Sequence, residues 1–135
     1  MFSVEDGNTV TVSKSPDAQK ADHVLRFYGV TAPTLRQPCG KEALAFLHQV
    51  LPKGTSVGVD VISEEKDGPM RALVQLRGDT VNYQMVTQGL AWVNRQECKA
   101  VFCRRWYIQE HQAVQERRGI WRLNIGTPPW QWGNR

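Results

Sequence analysis

Cysteine and histidine are the residue types in this sequence best suited to nucleophilic, redox or metal chemistry. The chain has three of each, at Cys39, Cys98, Cys103, His23, His48 and His111. Neither a Cys-x-x-Cys pair nor a cluster of cysteine with histidine occurs, although structural zinc sites are built from such ligands at close spacing. Cys39 has no histidine near it in sequence, so we expect a partly buried thiol rather than a nucleophile. The sequence therefore predicts neither a zinc centre nor a cysteine-based catalyst.

Cys98 and Cys103 have a spacing that permits a disulfide. They flank the segment 99–102. If this segment is a loop, the two Cα atoms can approach to the roughly 4.4–6.8 Å that a disulfide needs. Within one continuous helix the two side chains would point in different directions. We expect the bridge, with Cys39 as a free thiol; the alternative is three free thiols.

The charge balance of the chain is basic, with a formal net charge of +4 and a sequence pI of about 9.2. Many of the cations lie between Arg95 and Arg122, and such a surface favours phosphates, nucleic acid or other anionic polymers. The alternative is a merely solvated basic helix. Apolar runs of the roughly 18 residues that a membrane span needs are absent from the sequence. The length suits one domain over 1–135, with 123–135 as a Pro- and Trp-rich tail.

Hydrophobic periodicity predicts the elements that must position these residues. Strands are predicted at 8–14, 23–29, 57–61 and 71–76, and helices at 41–51 and 104–118. Asn82 is expected to cap a further short helix that ends at Gly89, because asparagine is a preferred N-cap and glycine a preferred helix stop. This order of elements is typical of an α+β domain with a small antiparallel barrel.

Five segments, in order along the chain, resemble the motifs of one known family. They are 6–10 (Asp-Gly-Asn-Thr-Val), 25–34 (Leu-Arg-Phe-Tyr-Gly-Val-Thr-Ala-Pro-Thr), 37–43 (Gln-Pro-Cys-Gly-Lys-Glu-Ala), 81–93 (Val-Asn through Gln-Gly-Leu-Ala-Trp-Val) and the ending 118–121 (Arg-Gly-Ile-Trp) with 128–130 (Pro-Pro-Trp). The family is that of staphylococcal nuclease (thermonuclease), and the resemblance covers nearly the whole chain. It implies an α+β domain built on a five-stranded OB-like β-barrel with about three helices. It does not by itself imply activity.

The resemblance implies a chemistry in which calcium neutralises a phosphodiester, a glutamate activates water and two arginines hold the phosphoryl oxygens. Asp6 matches the first, outer-lying aspartate of the family's opening motif. Asn8 stands where the family has a metal-ligating aspartate, so the oxygen ligand is kept but its negative charge is lost. Thr31 replaces the second principal carboxylate. The metal ligands that the resemblance leaves are therefore Asp6 and Asn8. The alternative role for Asp6 is turn chemistry, which is common for an Asp-Gly pair beside a strand.

The other catalytic positions of the family are altered as well. Thr34 stands in place of the glutamate and cannot act as a general base at neutral pH. Arg26 matches the first phosphate-holding arginine; the alternative role for it is an ion pair with a nearby acid. Pro69 stands where the second arginine is expected. Arg71 follows two residues later and would keep the same facing along a regular strand.

The nucleotide contacts of the family are retained only in part. Lys66 matches a basic residue that contacts phosphate, so the candidate nucleic-acid-binding residues are Lys66, Arg71 and Arg95. The two tyrosines that flank the base in the best-known member correspond to about Arg95 and Glu97, and neither supplies a phenol ring. Trp130 and Trp132 in the tail either stack on a base or, as we expect, pack the tail back onto the barrel.

We therefore expect a catalytically impaired or inactive member of the family that binds single-stranded nucleic acid or another anionic polymer and uses no cofactor. Losing a positioned general base typically costs about 10²–10⁴-fold in rate, and the number of charged ligands tunes calcium affinity. One alternative is an active nuclease that uses Ca²⁺ or another divalent metal at a rearranged site. The other alternative is a protein-interaction domain without a polymer ligand.

An exported or periplasmic location is expected over a cytoplasmic one. In the family a long first strand precedes the Asp-Gly motif, whereas here only residues 2–5 separate Met1 from Asp6. This spacing suggests that upstream residues, such as a signal peptide, have been removed. A bridge between Cys98 and Cys103 would agree with export, because disulfides persist mainly in oxidising compartments.

Overall fold

The structure, a computed structural model, describes residues 1, 3–15, 19, 21–123 and 131–132. Its helices are α1 (Gly40–Val50), α2 (Val81–Thr87) and α3 (Cys103–Gln115), followed by a 3₁₀ turn at Gly119–Arg122. Its strands are β1 (Ser3–Val4), β2 (Thr9–Val12), β3 (His23–Phe27), β4 (Val30–Thr31), β5 (Gly58–Glu64), β6 (Met70–Leu76), β7 (Asp79–Thr80) and β8 (Trp92–Val93). The predicted α+β class, with three helices in the described ranges, is confirmed.

One sheet organises the domain, with the strand order β1-β2-β3-β6-β5 and with β7 paired to β6. The pairing of β3 with β6 is parallel, so this sheet is mixed rather than purely antiparallel as the pattern predicts. β4 and β8 pair in a separate ladder. The amine of Met1 donates to Thr55 O at 2.7 Å, and Gly54 N donates to Met1 O at 3.0 Å. These bonds bring the start of the chain to the turn that precedes β5.

Strand β3 presents its residues to two faces of the sheet. Leu25 and Phe27 are buried in the core, whereas Arg26 points to the opposite face because neighbouring strand residues alternate. In register, Arg26 lies beside Thr9 of β2 and beside Arg71 of β6. The sheet therefore places the two arginines next to each other on its outer face.

Helix α2 begins differently from the prediction. Its N-cap is Thr80, whose hydroxyl accepts a hydrogen bond from the first helical turn. Asn82 is instead fully buried, and its amide accepts from Val74 N while donating to Tyr28 O and Ala72 O. Buried backbone groups need hydrogen-bond partners, and this side chain supplies three such bonds. The expectation that Asn82 caps the helix is therefore wrong; the residue joins α2 to the sheet.

Cys98 and Cys103 are joined in a disulfide, with their Cα atoms 5.8 Å apart. Cys103 is the first residue of α3, so residues 99–102 lie outside the helix. Gly29 turns the chain between β3 and β4 with a φ of 78°, and a Cβ added there would lie 2.9 Å from Cys98 Sγ. The bridge therefore packs directly against the turn that follows β3.

The structure describes residues 123, 131 and 132 of the C-terminal tail. In the predicted tail 123–135, Trp132 makes an edge-to-face contact with Trp92 of β8, with ring centroids 5.9 Å apart. Trp130, the other tail tryptophan for which the sequence predicts packing or stacking, lies outside the described residues. Among the described helices, none is both long enough and apolar enough to cross a membrane.

Candidate functional site

The turn before β2 is held together by two side chains that match the metal-binding motif. Asn8 N donates to Asp6 Oδ1 at 2.7 Å, which makes Asp6 the anchor of a short turn. The Asn8 side chain is buried, and its Oδ1 accepts from Ala32 N at 2.7 Å while its Nδ2 donates to Ala32 O at 2.8 Å. Asn8 therefore binds the segment after β4 through both of its polar atoms.

These residues do not fit a calcium site of the kind that the resemblance implies. Calcium prefers six to eight oxygen ligands with several carboxylates among them. Asp6 is the one carboxylate that the matched positions retain, and Thr31 Oγ1 is an acceptor for Asn94 Nδ2 at 3.5 Å. Within the described part of the chain, His, Cys, Asp and Glu form no group of three or more that could hold a metal ion.

Two polar side-chain atoms at matched catalytic positions are buried and lack a partner. They are Arg26 Nε on β3 and Thr34 Oγ1 after β4. Arg26 also forms no ion pair with any described residue. Buried polar groups are normally hydrogen-bonded, and an exception calls for an explanation such as a ligand or an ordered water.

Arg71, the candidate substitute for the second arginine, faces the same side as Arg26 but is engaged. It lies in regular strand, because β6 begins at Met70, directly after Pro69. Its Nε and Nη2 donate to the carboxylate of Glu97 at 2.9 and 2.7 Å. The proline therefore leaves the facing of Arg71 intact, and Glu97 holds its guanidinium.

Lys66 and Pro69 belong to the turn between β5 and β6. Lys66 is exposed. Pro69 lines a depression of about 440 Å³ together with Asp22 and Asp67. Two carboxylates beside this depression disfavour a phosphate there, because like charges repel. The structure does not bring Lys66 and Arg95 together by any contact among the described residues.

Arg95, the third candidate for nucleic-acid binding, is part of an internal network. Its guanidinium donates to the buried carboxylate of Glu110 and to Val93 O, the latter at 2.8 Å. It also lies over the ring of Tyr107, 5.7 Å from the centroid. Glu110 Oε2 accepts in turn from Val93 N at 2.7 Å. These contacts hold β8 against α3.

Interpretation of the sequence missed both carboxylates that hold these arginines. The resemblance places Glu97 only where the family has a stacking tyrosine, and none of the matched motifs includes Glu110. The available signal was weak: both are acids within the basic stretch between Arg95 and Arg122. Each bond from Arg71 to Glu97 joins residues 26 apart in sequence. Local periodicity does not predict contacts over such a sequence separation.

Two ionisable side chains, Tyr28 and Cys39, have raised pKa values. Burial, and then the negative charge of Glu97, raises the pKa of Tyr28, whose hydroxyl donates to Glu97 O at 2.9 Å. Burial, followed by the charge of Glu42, raises the pKa of the free thiol of Cys39. Cys39 is therefore less ionised at neutral pH than an ordinary thiol, which disfavours a nucleophilic role.

Comparison with known proteins identifies the family. A family model described as staphylococcal nuclease homologue matches residues 24–123. The chain is 30% identical over 108 residues to the Staphylococcal-like nuclease CAN1 of Arabidopsis thaliana, which covers 80% of this chain and 32% of that protein. It is 29% identical over 133 residues to an uncharacterized endonuclease of Escherichia coli O157:H7, covering 98% of this chain and 82% of the relative. The chain thus spans about a third of the plant relative, and it belongs to the staphylococcal nuclease homologue family.

Proposed function

We propose that this domain binds single-stranded nucleic acid through the outer face of its sheet and lacks the calcium-dependent hydrolysis of its family. The observation that carries the proposal is Arg26, whose buried Nε has no partner in the described part of the chain. A guanidinium without a carboxylate is a strong donor to phosphate. The net charge of +4 favours the same class of ligand.

The absence of hydrolysis is proposed from the residues at the matched positions. Thr34 cannot take a proton from water at neutral pH, and Thr31 supplies no charge to a metal ion. Asn8 is held by Ala32 through both polar atoms of its amide. One such change can be compensated by a neighbour, but the three together remove the base and most of the metal charge.

A second candidate function is a divalent-metal-dependent nuclease with a rearranged site. It is favoured by the printed names of two relatives, a staphylococcal-like nuclease and an uncharacterized endonuclease. The two functions differ in a simple assay on single-stranded DNA with calcium or with a chelator. Cleavage that disappears with chelator and in Arg26→Ala supports the nuclease.

Binding is tested by changing Arg26 to glutamine and titrating a fluorescent single-stranded oligonucleotide. We expect affinity to fall at least tenfold, because a hydrogen-bonded charge contact is worth about 1.5–3 kcal/mol. Arg104 is an exposed arginine at the start of α3, and Arg104→Gln removes the same charge as a matched control. We expect less than a twofold change in the control. Equal losses in both variants would show that only general charge matters, and no binding by the wild type would contradict the proposal.

We also propose an oxidising compartment for this domain. The support is the Cys98–Cys103 disulfide together with the scarcity of such bonds in reducing cytosol. In protein isolated from its native compartment, thiol counting under denaturing, non-reducing conditions should find one reacting thiol per chain, that of Cys39. Three reacting thiols would remove both the bridge and the argument for export.

A further inference from the structure

Three N–H groups converge on the carboxylate of Glu97. Arg71 donates to Oε2 from its Nε at 2.9 Å and to Oε1 from its Nη2 at 2.7 Å. Gly29 N donates to Oε1 at 2.6 Å. A guanidinium fork together with a backbone N–H is the donor arrangement by which proteins recognise carboxylates and phosphates. The donors are supplied by β6 and by the turn after β3, and the anion is supplied by the chain itself.

These donors lie next to the unpartnered arginine. Arg26 and Arg71 are register partners on the parallel strands β3 and β6, and neighbouring strands are about 4.8 Å apart. Both side chains face the outer side of the sheet. One of the two adjacent cations therefore has an anion and the other has none among the described residues.

Glu97 is placed on a segment from which its side chain can be displaced. It lies between the end of β8 and the start of α3. The side chains of Arg71 and Glu97 are 18% and 20% exposed, so solvent and solutes reach the pair. The backbone of Glu97 is held separately, by Asn94 Oδ1 and by the hydroxyl of Tyr28. The carboxylate can therefore swing out while the segment stays in place.

We propose that Arg71 and the N–H of Gly29 form an oxyanion-binding site that Glu97 occupies in the free protein and that a phosphate of the bound strand takes over. This inference rests on the proposed function, since it names how the same face admits its ligand. Glu97 acts as an internal competitor: it neutralises Arg71 without a ligand and weakens binding by the cost of its displacement. In the complex, Arg26 binds an oxygen of a neighbouring phosphate.

The test compares Glu97→Gln with a charge-matched control. Glutamine keeps an oxygen that accepts from Gly29 N, but it no longer neutralises Arg71. The control is Glu116→Gln, which removes an exposed carboxylate paired with Arg118 and changes the net charge equally. We expect Glu97→Gln to bind a fluorescent single-stranded oligonucleotide about fivefold more tightly than the wild type does. The affinity of the control should differ from that of the wild type by less than twofold.

Two further outcomes would overturn the inference. One is affinity in Glu97→Gln equal to that of Glu116→Gln. The other is a gain that persists in Glu97→Gln/Arg71→Gln, because Arg71 would then not be the residue released. Circular dichroism of each variant establishes that a missing gain does not come from unfolding.

A second readout needs no nucleic acid, so it separates this inference from the proposed function. Phenylglyoxal modifies accessible arginine, and peptide mass spectrometry measures the rate at Arg71. We expect slow modification in the wild type, about fivefold faster modification in Glu97→Gln, and protection of that variant by inorganic phosphate. If the wild type binds no oligonucleotide, the proposed function fails, and protection by phosphate still decides the inference. An unchanged rate or no protection overturns it.

Discussion

Replacing Asn82 with alanine should lower the free energy of unfolding by about 4 kcal/mol, because three backbone groups lose a buried partner at once. These groups are Val74 N–H and the carbonyls of Tyr28 and Ala72. The side chain is fully buried, so bulk water does not reach these groups in the folded protein. Urea unfolding followed by circular dichroism measures the change as a shift of the midpoint at constant slope.

The comparison variant for this experiment is Thr80→Ala. Thr80 caps α2 with its hydroxyl, and loss of a cap typically costs about 1 kcal/mol. The two variants therefore separate a capping role from a bridging role for residues on the same short helix. A cost for Asn82→Ala no larger than that for Thr80→Ala would contradict the bridging role.

Replacing Glu110 with alanine should cost about 3 kcal/mol of stability, because removal of one partner leaves buried polar groups uncompensated. Val93 N–H would lose its acceptor, and Arg95 would lose its carboxylate. Glu110→Gln retains an acceptor for Val93 and removes only the charge. We expect about 1 kcal/mol for this variant, because Arg95 is half-exposed and solvent screens its charge.

The control for Glu110 is a carboxylate that pairs on the surface. Glu42 contacts Arg122 at 2.7 Å with both side chains about half exposed. Glu42→Gln should leave the unfolding midpoint unchanged in the same urea titration. Equal midpoints for Glu110→Ala and Glu42→Gln would show that burial of Glu110 contributes nothing.

The local elements of the fold follow from periodicity in the sequence. The helical spacing over 41–51 corresponds to α1 at Gly40–Val50, and the alternation over 71–76 to β6 at Met70–Leu76. Such patterns succeed because one buried face requires apolar residues at a fixed spacing. Periodicity could not predict that β3 and β6 pair in parallel, because a strand shows the same apolar-polar alternation whether its neighbour is parallel or antiparallel.

For the candidate site, the sequence shows which residue types occupy the matched positions. It does not show with which side chains they form hydrogen bonds or ion pairs. The motifs that include Arg26, Asn8 and Thr34 point to the family, and the family model over residues 24–123 supports it. The loss of carboxylates at Asn8, Thr31 and Thr34 is equally visible in the chain itself. Which side chains are bound and which are free depends on long-range contacts, and these form only when the elements pack.

By itself, the sequence determined the family, the α+β class and the identity of the residues at the matched catalytic positions. The tertiary structure decided that Arg71 is held by Glu97, that Arg95 is held by Glu110 and that Arg26 has no described partner. The physical reason is the range of the interactions. Residue types and periodicities are local properties, whereas these carboxylates reach their arginines from 26 and 15 residues away. Such contacts exist only after the strands, turns and α3 have packed around one core.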